Sequence, residues 1–237
     1  MEFPPVPQLA AMCHERGILV ALDNTWGAGL AFDGFAQGGA DLVVQALTKY
    51  PSGGGDVLMG SVTTRDEKLH RVVKLCHMRM GLGIGANDAE AVLRALPSIE
   101  LRYRAHDAAA RELARWLQSR PAVARVLHPA LPGSPGHAHW QALCGPQGLA
   151  AGLFSVVFDE RYTPAQVDAF CDALRLFKLG YSWAGPVSLA VPYDVPSMRS
   201  HALGTWTARG SVVRFSVGLE AVEDLRADLA QALAVLG

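Results

Sequence analysis

Five consecutive apolar residues, Ile18-Leu19-Val20-Ala21-Leu22, run straight into Asp23-Asn24-Thr25-Trp26-Gly27. A short apolar run without alternation reads as a strand buried on both faces, and such strands belong to parallel sheets covered by helices. The pattern recurs at Leu42 to Ala46, a third strand is predicted over Val57 to Thr63, and Gln8 to Glu15 is helical in composition. The resulting βαβ rhythm predicts an α/β fold. Ligands on such sheets gather at the carboxyl ends of the strands, where Asp23 falls after one strand and Lys49 after the next.

Lys49 sits in Thr48-Lys49-Tyr50 and is followed by Pro51-Ser52-Gly53-Gly54-Gly55-Asp56. Glycine-rich turns let backbone approach a ligand closely and leave room for one. An amine and a carboxylate at neighbouring strand ends are what pyridoxal phosphate (PLP) requires. Its aldehyde takes the amine as a Schiff base, and its pyridine nitrogen takes an anion that keeps it protonated.

The chain has 237 residues, enough for one or two domains with a sizeable core. Half of its residues are hydrophobic, yet no apolar run approaches the roughly 18 residues of a membrane span. A formal net charge of −1 gives no basic surface for nucleic acid or anionic lipid. Cys13, Cys76, Cys144 and Cys171 are scattered without framework spacing and read as reduced core thiols of a cytoplasmic protein. Met1 to Pro7 lacks the basic leader and apolar stretch of a signal peptide.

Farther along, a long helical stretch from Ala89 to Leu117 is interrupted near Pro97, with Leu113, Trp116 and Leu117 on one face. Gly152 to Phe158 is a predicted strand. Thr163-Pro164-Ala165-Gln166 then supplies an N-cap, a proline at N1 and a glutamine at N3 for a helix through Leu174. Val212 to Val217 is a further strand. Glu220, Glu223 and Asp224 are expected in the first turn of a last helix, whose buried stripe is Leu225, Leu229, Leu233 and Leu236.

Taken in order, Leu22-Asp23-Asn24-Thr25-Trp26, Ala40 to Gln45, Thr48-Lys49-Tyr50, Asp56 to Gly60, Tyr181-Ser182-Trp183 and Arg214 to Glu220 resemble the PLP-dependent transsulfuration enzymes. Asn24-Thr25-Trp26, Tyr181-Ser182-Trp183 and His128 to Ser134 lean toward the cystathionine β-lyase branch over the γ-lyases and γ-synthases. The resemblance implies a fold-type-I PLP enzyme. Residues 1–95 would be part of a large PLP-binding domain with a mostly parallel sheet, and residues 96–237 a C-terminal α+β domain.

It also implies roles. Lys49 would carry the cofactor and then remove the substrate Cα proton; Asp23 would pair with the pyridine N–H; Thr48 would give its hydroxyl to the phosphate. Arg214 would grip the substrate carboxylate, Ser182 would lie beside the lysine, and Trp183 would line the pocket. The implied reaction is β-elimination of cystathionine to homocysteine, pyruvate and ammonia in methionine biosynthesis, by a homo-oligomer (dimer or tetramer) acting on a small amino acid.

Each residue alone has a plainer reading. Lys49 can be a strand-end surface lysine, Asp23 a cap or turn, Arg214 an edge residue and Trp183 part of a core. Ser52-Gly53-Gly54-Gly55 lacks the Gly-Lys-Ser/Thr ending of a nucleotide-binding P-loop. His128, His137, His139 and Cys144 match no zinc module; they are expected to be surface-loop residues, and no metal site is expected.

Departures from the family pattern bear on what this chain can do. Met1 corresponds to a point deep inside the large domain of longer relatives. Their preceding segment holds the ring-stacking aromatic residue, the glycine-rich phosphate turn, and a Tyr and an Arg that cross a dimer interface. The remaining sheet is therefore expected to expose apolar edges. Ala46 stands where many relatives carry serine, Gly54-Gly55 replaces a His-Ser, and Ala184 to Val187 replaces a Gly-Gly-x-Glu. Alternatives to the β-lyase remain: a related γ-lyase, γ-synthase or cysteine desulfhydrase, or a non-catalytic fragment that only associates with a partner.

Overall fold

The computed structural model describes residues 1–198 and 207–237. The chain divides into two compact units. One comprises Phe3–Arg104 and Ala138–Ala151, and the other Met1–Glu2, Ala105–His137 and Gly152–Gly237.

The first unit opens with helix α1 (Val6–His14), started by prolines at its first turn, which lose nothing there because those N–H groups have no helical partner. Strands β1 (Ala21–Asp23), β2 (Leu42–Ala46) and β3 (Gly60–Thr64) follow in the spatial order β1-β2-β3. β1 and β2 pair in parallel, with Asp23 opposite Val44. β3 pairs antiparallel to β2, with Gly60 opposite Ala46. The expected mostly parallel sheet is thus mixed. The link from β2 to β3 holds a turn at 47–52 and no helix, and a parallel return needs a crossover, usually helical.

β1 is also shorter than its apolar run. Ile18 and Leu19 are about half exposed, at 52% and 57%, and the Ile18 N–H closes the end of α1 on Cys13 O instead of entering the sheet. Apolar surface is exposed elsewhere in this unit, as the sequence leads one to expect. Leu58 is 89% exposed, and no residue of α2 (Glu67–Arg79) is buried. α2 is capped by Asp66, whose carboxylate accepts from Leu69 N at 2.8 Å. Helix α3 (Ala86–Ala95), a 3-10 turn at Leu96–Ser98 and helix α4 (Ile99–Gln118) realise the interruption at Pro97.

The second unit is built on a five-stranded sheet ordered β4-β5-β8-β7-β6: β4 (Val123–Leu127), β5 (Leu153–Phe158), β6 (Lys178–Leu179), β7 (Leu189–Tyr193) and β8 (Val212–Ser216). All pairs are antiparallel except β6 with β7. Alternation sorts its faces. Phe154, Val156, Phe158, Val213 and Phe215 enter the main core with Leu113 and Leu117 of α4, Phe170 of α6 (Pro164–Ala173), and Leu225 and Leu229 of α8 (Val222–Leu233). Leu127, Val157 and Val212 form a smaller cluster apart from it.

Two short helices complete the described elements, α5 (His137–Cys144) and α7 (Val195–Met198). The capping box at Thr163 and Gln166 forms as read, with both reciprocal bonds present. The leucine stripe of the last helix is buried at Leu225 and Leu229, and Leu236 is buried in a 3-10 turn (Ala234–Leu236) just beyond it. Glu220 departs from its expected place. It precedes the Ala221 N-cap, and its carboxylate binds Ser188 instead of the helix N-terminus.

Two further expectations are corrected. His128 is fully buried, not in a surface loop: its Nδ1 accepts from Ala130 N at 3.2 Å, and its Nε2 has no partner among the described residues. Burial is the main reason its pKa falls to about 3, helped by Arg111 and Arg115. Among the cysteines only Cys144 and Cys171 are core thiols, pushed up to about 12 mainly by burial, whereas Cys76 is exposed. Among the described residues no helix is long and apolar enough to cross a membrane, and no group of three His, Cys, Asp or Glu could hold a metal ion.

Candidate cofactor and substrate site

In the first unit the parallel pairing of β1 and β2 sets the position of the acid. Asp23 is the last residue of β1, and pairing continues one step through Asn24 N to Val44 O at 2.9 Å. The chain then turns, and the Asp23 Oδ1 accepts from Thr25 N at 3.0 Å and from Thr25 Oγ1 at 2.5 Å. That hydroxyl also accepts from Ala46 N, the end of β2, at 2.8 Å. The buried Thr25 therefore ties the carboxylate to the strand that leads to Lys49. The Oδ2 of Asp23, on an exposed residue, has no hydrogen-bond partner among the described residues and can accept from a ligand.

Lys49 lies half-buried three residues beyond β2. Its N–H donates to Ala46 O at 3.1 Å, and its carbonyl accepts from Gly53 N at 2.9 Å. Two residues of α4 hold this turn. The Tyr103 ring lies 4.6 Å from that of the buried Tyr50, and the Tyr103 hydroxyl donates to Trp26 O at 3.0 Å. Arg102 donates to Tyr50 O at 2.7 Å and to Ala95 O at 3.0 Å. Gly53 takes a positive φ of 67°, which favours glycine, and a Cβ there would also push the Arg102 guanidinium aside.

Thr48 is placed less simply. Its hydroxyl accepts from Met59 N at 3.3 Å and lies 3.4 Å from Met59 O, so it pins the turn to the segment before β3. A phosphate contact by Thr48 would require exchanging one of these long bonds.

Arg214, Ser182 and Trp183 belong to the second unit. Arg214 sits mid-β8, opposite Ser155 of β5 and Val191 of β7. Its Nη2 donates to Tyr181 O at 2.7 Å and Ser182 O at 3.1 Å, with Gly180 O at 3.4 Å. Its Nε is buried without a partner, and its guanidinium lies 5.8 Å from the Tyr193 ring. Arg214 lines a cavity of about 490 Å³ with Arg125, Ser155, Tyr193 and Val212. A buried donor lacking an acceptor costs about 1–3 kcal/mol, which an anionic ligand would relieve. Ser182 is exposed and Trp183 half-buried. The sequence pointed to the acid, the amine and Arg214, but not to Thr25, Arg102 or Tyr103. Thr25 was visible only as part of a motif, and an arginine or tyrosine inside a helix carries no local mark of what it will clamp.

The donor set fits an aldehyde-bearing pyridine: an amine-bearing turn and an ordered carboxylate at adjacent parallel strand ends, with a free carboxylate oxygen. That arrangement on an α/β scaffold is compatible with what a fold-type-I PLP site asks of its acid and its amine. The family model described as Cys/Met metabolism PLP-dependent enzyme matches residues 1–234, and the chain belongs to that family. It is similar to a putative cystathionine beta-lyase of Rhizobium johnstonii, 37% identical over 98% of this chain and 58% of that protein. It is 36% identical to cystathionine beta-lyase of Bordetella avium, over 98% of this chain and 57% of that protein. Among solved structures it resembles apo CalE6, described as a methionine gamma lyase from Micromonospora echinospora. The TM-score is 0.83 at 31% identity, covering 98% of this chain and 60% of that one. The chain therefore spans somewhat more than half the length of the relatives it matches.

Proposed function

We propose that this chain serves a PLP-dependent carbon–sulfur lyase that cleaves cystathionine by β-elimination to homocysteine, pyruvate and ammonia, as a step of methionine biosynthesis in the cytoplasm. The observation that carries this reading is the Thr25 hydroxyl bridge, which couples the Asp23 carboxylate to the strand leading to Lys49. We take residues 1–95 as cofactor-binding domain and 96–237 as the small domain, in a protein that works as a homo-oligomer.

Bound PLP supplies an electron sink for the charge that develops at the substrate Cα. Asp23 would accept from the protonated pyridine nitrogen, and Lys49 would hold the aldehyde and supply the amine that takes the Cα proton. Arg214 offers its unpartnered Nε to the substrate carboxylate. A guanidinium suits this better than a lysine because it is planar and presents several fixed donors. By the family resemblance, Ser182 and Trp183 would contribute to substrate binding and Thr48 to phosphate binding.

Absorbance tests the reading. The purified chain mixed with PLP should turn yellow, with a band at the visible edge that Lys49→Ala abolishes. A chain that stays colourless at saturating PLP would refute cofactor attachment and leave the chain as a non-catalytic fragment.

A further inference from the structure

The segment 180–188, which joins β6 to β7, is fastened to β8 at its start and to the residues just after β8 at its end. At its start, the carbonyls of Gly180, Tyr181 and Ser182 receive the Arg214 Nη2. In its middle, Ala184 N donates to Ser216 Oγ at 3.3 Å. Ala184 holds a φ of 65°, a left-handed conformation that costs a non-glycine residue free energy and persists only when its surroundings enforce it. At its end, Glu220 closes the circuit. Its Oε1 accepts from Ser188 N at 2.7 Å and its Oε2 from Ser188 Oγ at 2.8 Å. The same Ser188 Oγ accepts from Gly218 N at 2.8 Å, and Leu219 N donates to Pro186 O at 2.9 Å. Gly218 must be glycine here, since a Cβ would collide with both the Glu220 carboxylate and Pro186 O.

We infer that Glu220 is a positioning residue for Arg214: through the fully buried Ser188 it fixes the 180–188 segment, whose carbonyls decide which donors of the Arg214 guanidinium remain for a ligand carboxylate. With Nη2 occupied by three carbonyls, Nε is left buried without a partner among the described residues. A loosened segment would release Nη2, let the guanidinium rotate, and lose that presentation. Two charge-assisted bonds to one buried residue make the Glu220 anchor stronger than a neutral pair. The inference rests on the reading of Arg214 as a carboxylate ligand.

The experiment uses the full chain labelled with ¹⁵N, titrated with L-alanine as carboxylate probe and L-alaninamide as a probe lacking it. The Nε–H resonance of Arg214, assigned by its loss in Arg214→Lys, reports binding. Glu220→Ala is expected to weaken L-alanine binding roughly tenfold and to shift or broaden that resonance before ligand is added. Alaninamide binding should stay unchanged, a pattern that general destabilisation would not give. Ser188→Ala, which keeps the backbone bond to Glu220, should show a smaller loss in the same direction and serves if Glu220→Ala fails to fold. A folded Glu220→Ala or Ser188→Ala with native L-alanine affinity would overturn the inference while leaving Arg214 as ligand. Native affinity in Arg214→Lys would remove both.

Discussion

The Thr25 hydroxyl donates to the Asp23 carboxylate at 2.5 Å while accepting from Ala46 N at 2.8 Å, so one buried side chain couples the ends of two parallel strands. Thr25→Val keeps the shape and removes both bonds. It leaves the Ala46 N–H without an acceptor, at a cost of about 1–3 kcal/mol in stability. Asp23 should be held only by the Thr25 backbone N–H and so less firmly, and PLP titrated into Thr25→Val and followed by the visible band should bind more weakly than in the parent chain. Equal affinity would show that the bridge is only structural.

Arg102 is expected to matter for the same site although it approaches neither the acid nor the amine through a side-chain bond. It donates to Tyr50 O and Ala95 O across the turn that carries Lys49. Arg102→Ala removes these charge-assisted bonds and opens space beside Gly53. A loss of about 2–3 kcal/mol in urea unfolding is expected, with a slower rise of the PLP band. Arg102→Lys should recover only part of it, because one ammonium cannot reach the same set of carbonyls.

His128 makes stability depend on pH. Its folded pKa of about 3 lies below the ordinary 6.5, so between those values the unfolded chain binds a proton that the folded chain refuses. Its contribution is therefore complete above pH 6.5 and is lost progressively as pH falls toward 3, by at most about 1.4 kcal/mol per pH unit. Asp33 and Asp41, whose carboxylates are held below the ordinary 3.8 chiefly by backbone N–H bonds, act only at lower pH. Urea midpoints measured from pH 7 to 4.5 should fall in the parent chain, and His128→Asn should flatten that slope. A parallel fall in both proteins would assign it to other groups.

The four thiols should separate by reactivity. Cys144 and Cys171 are buried, and their raised pKa keeps them as thiols, whereas Cys76 is exposed on α2. Thiolate is the reacting form, so an alkylating agent at pH 7.5 should modify Cys76 rapidly and leave Cys144 and Cys171 until urea is added. Mass mapping after a short pulse reads this directly. Early labelling of Cys171 would contradict its burial.

Local signals accounted for several of the elements and for the order in which Asp23 and Lys49 follow their strands. The capping box at Thr163, the break at Pro97 and the apolar run of β5 each depend on neighbours within a few residues, and each appears as read. The antiparallel return of β3 was not legible, because strand direction depends on the connection and not on the strand's own residues. The burial of His128 was hidden for a related reason. A proline- and glycine-rich stretch looks like surface, yet Ser134 folds back so that its hydroxyl accepts from His128 N at 2.8 Å. Glu220 looked like a helix-start acid because the acids that follow it are; only its approach to Ser188 in space reassigns it.

Strand β8 carries a consequence for how this protein can change. Val213 and Phe215 turn to the main core, while Val212 and Arg214, between and beside them, turn to the other side of the sheet. Deleting or inserting one residue anywhere upstream within the strand would exchange the two sets at once, burying a guanidinium among phenylalanines and presenting a phenylalanine to the cavity. Variation here must therefore proceed by substitution in place, and the length of this strand is as constrained as the identity of its arginine.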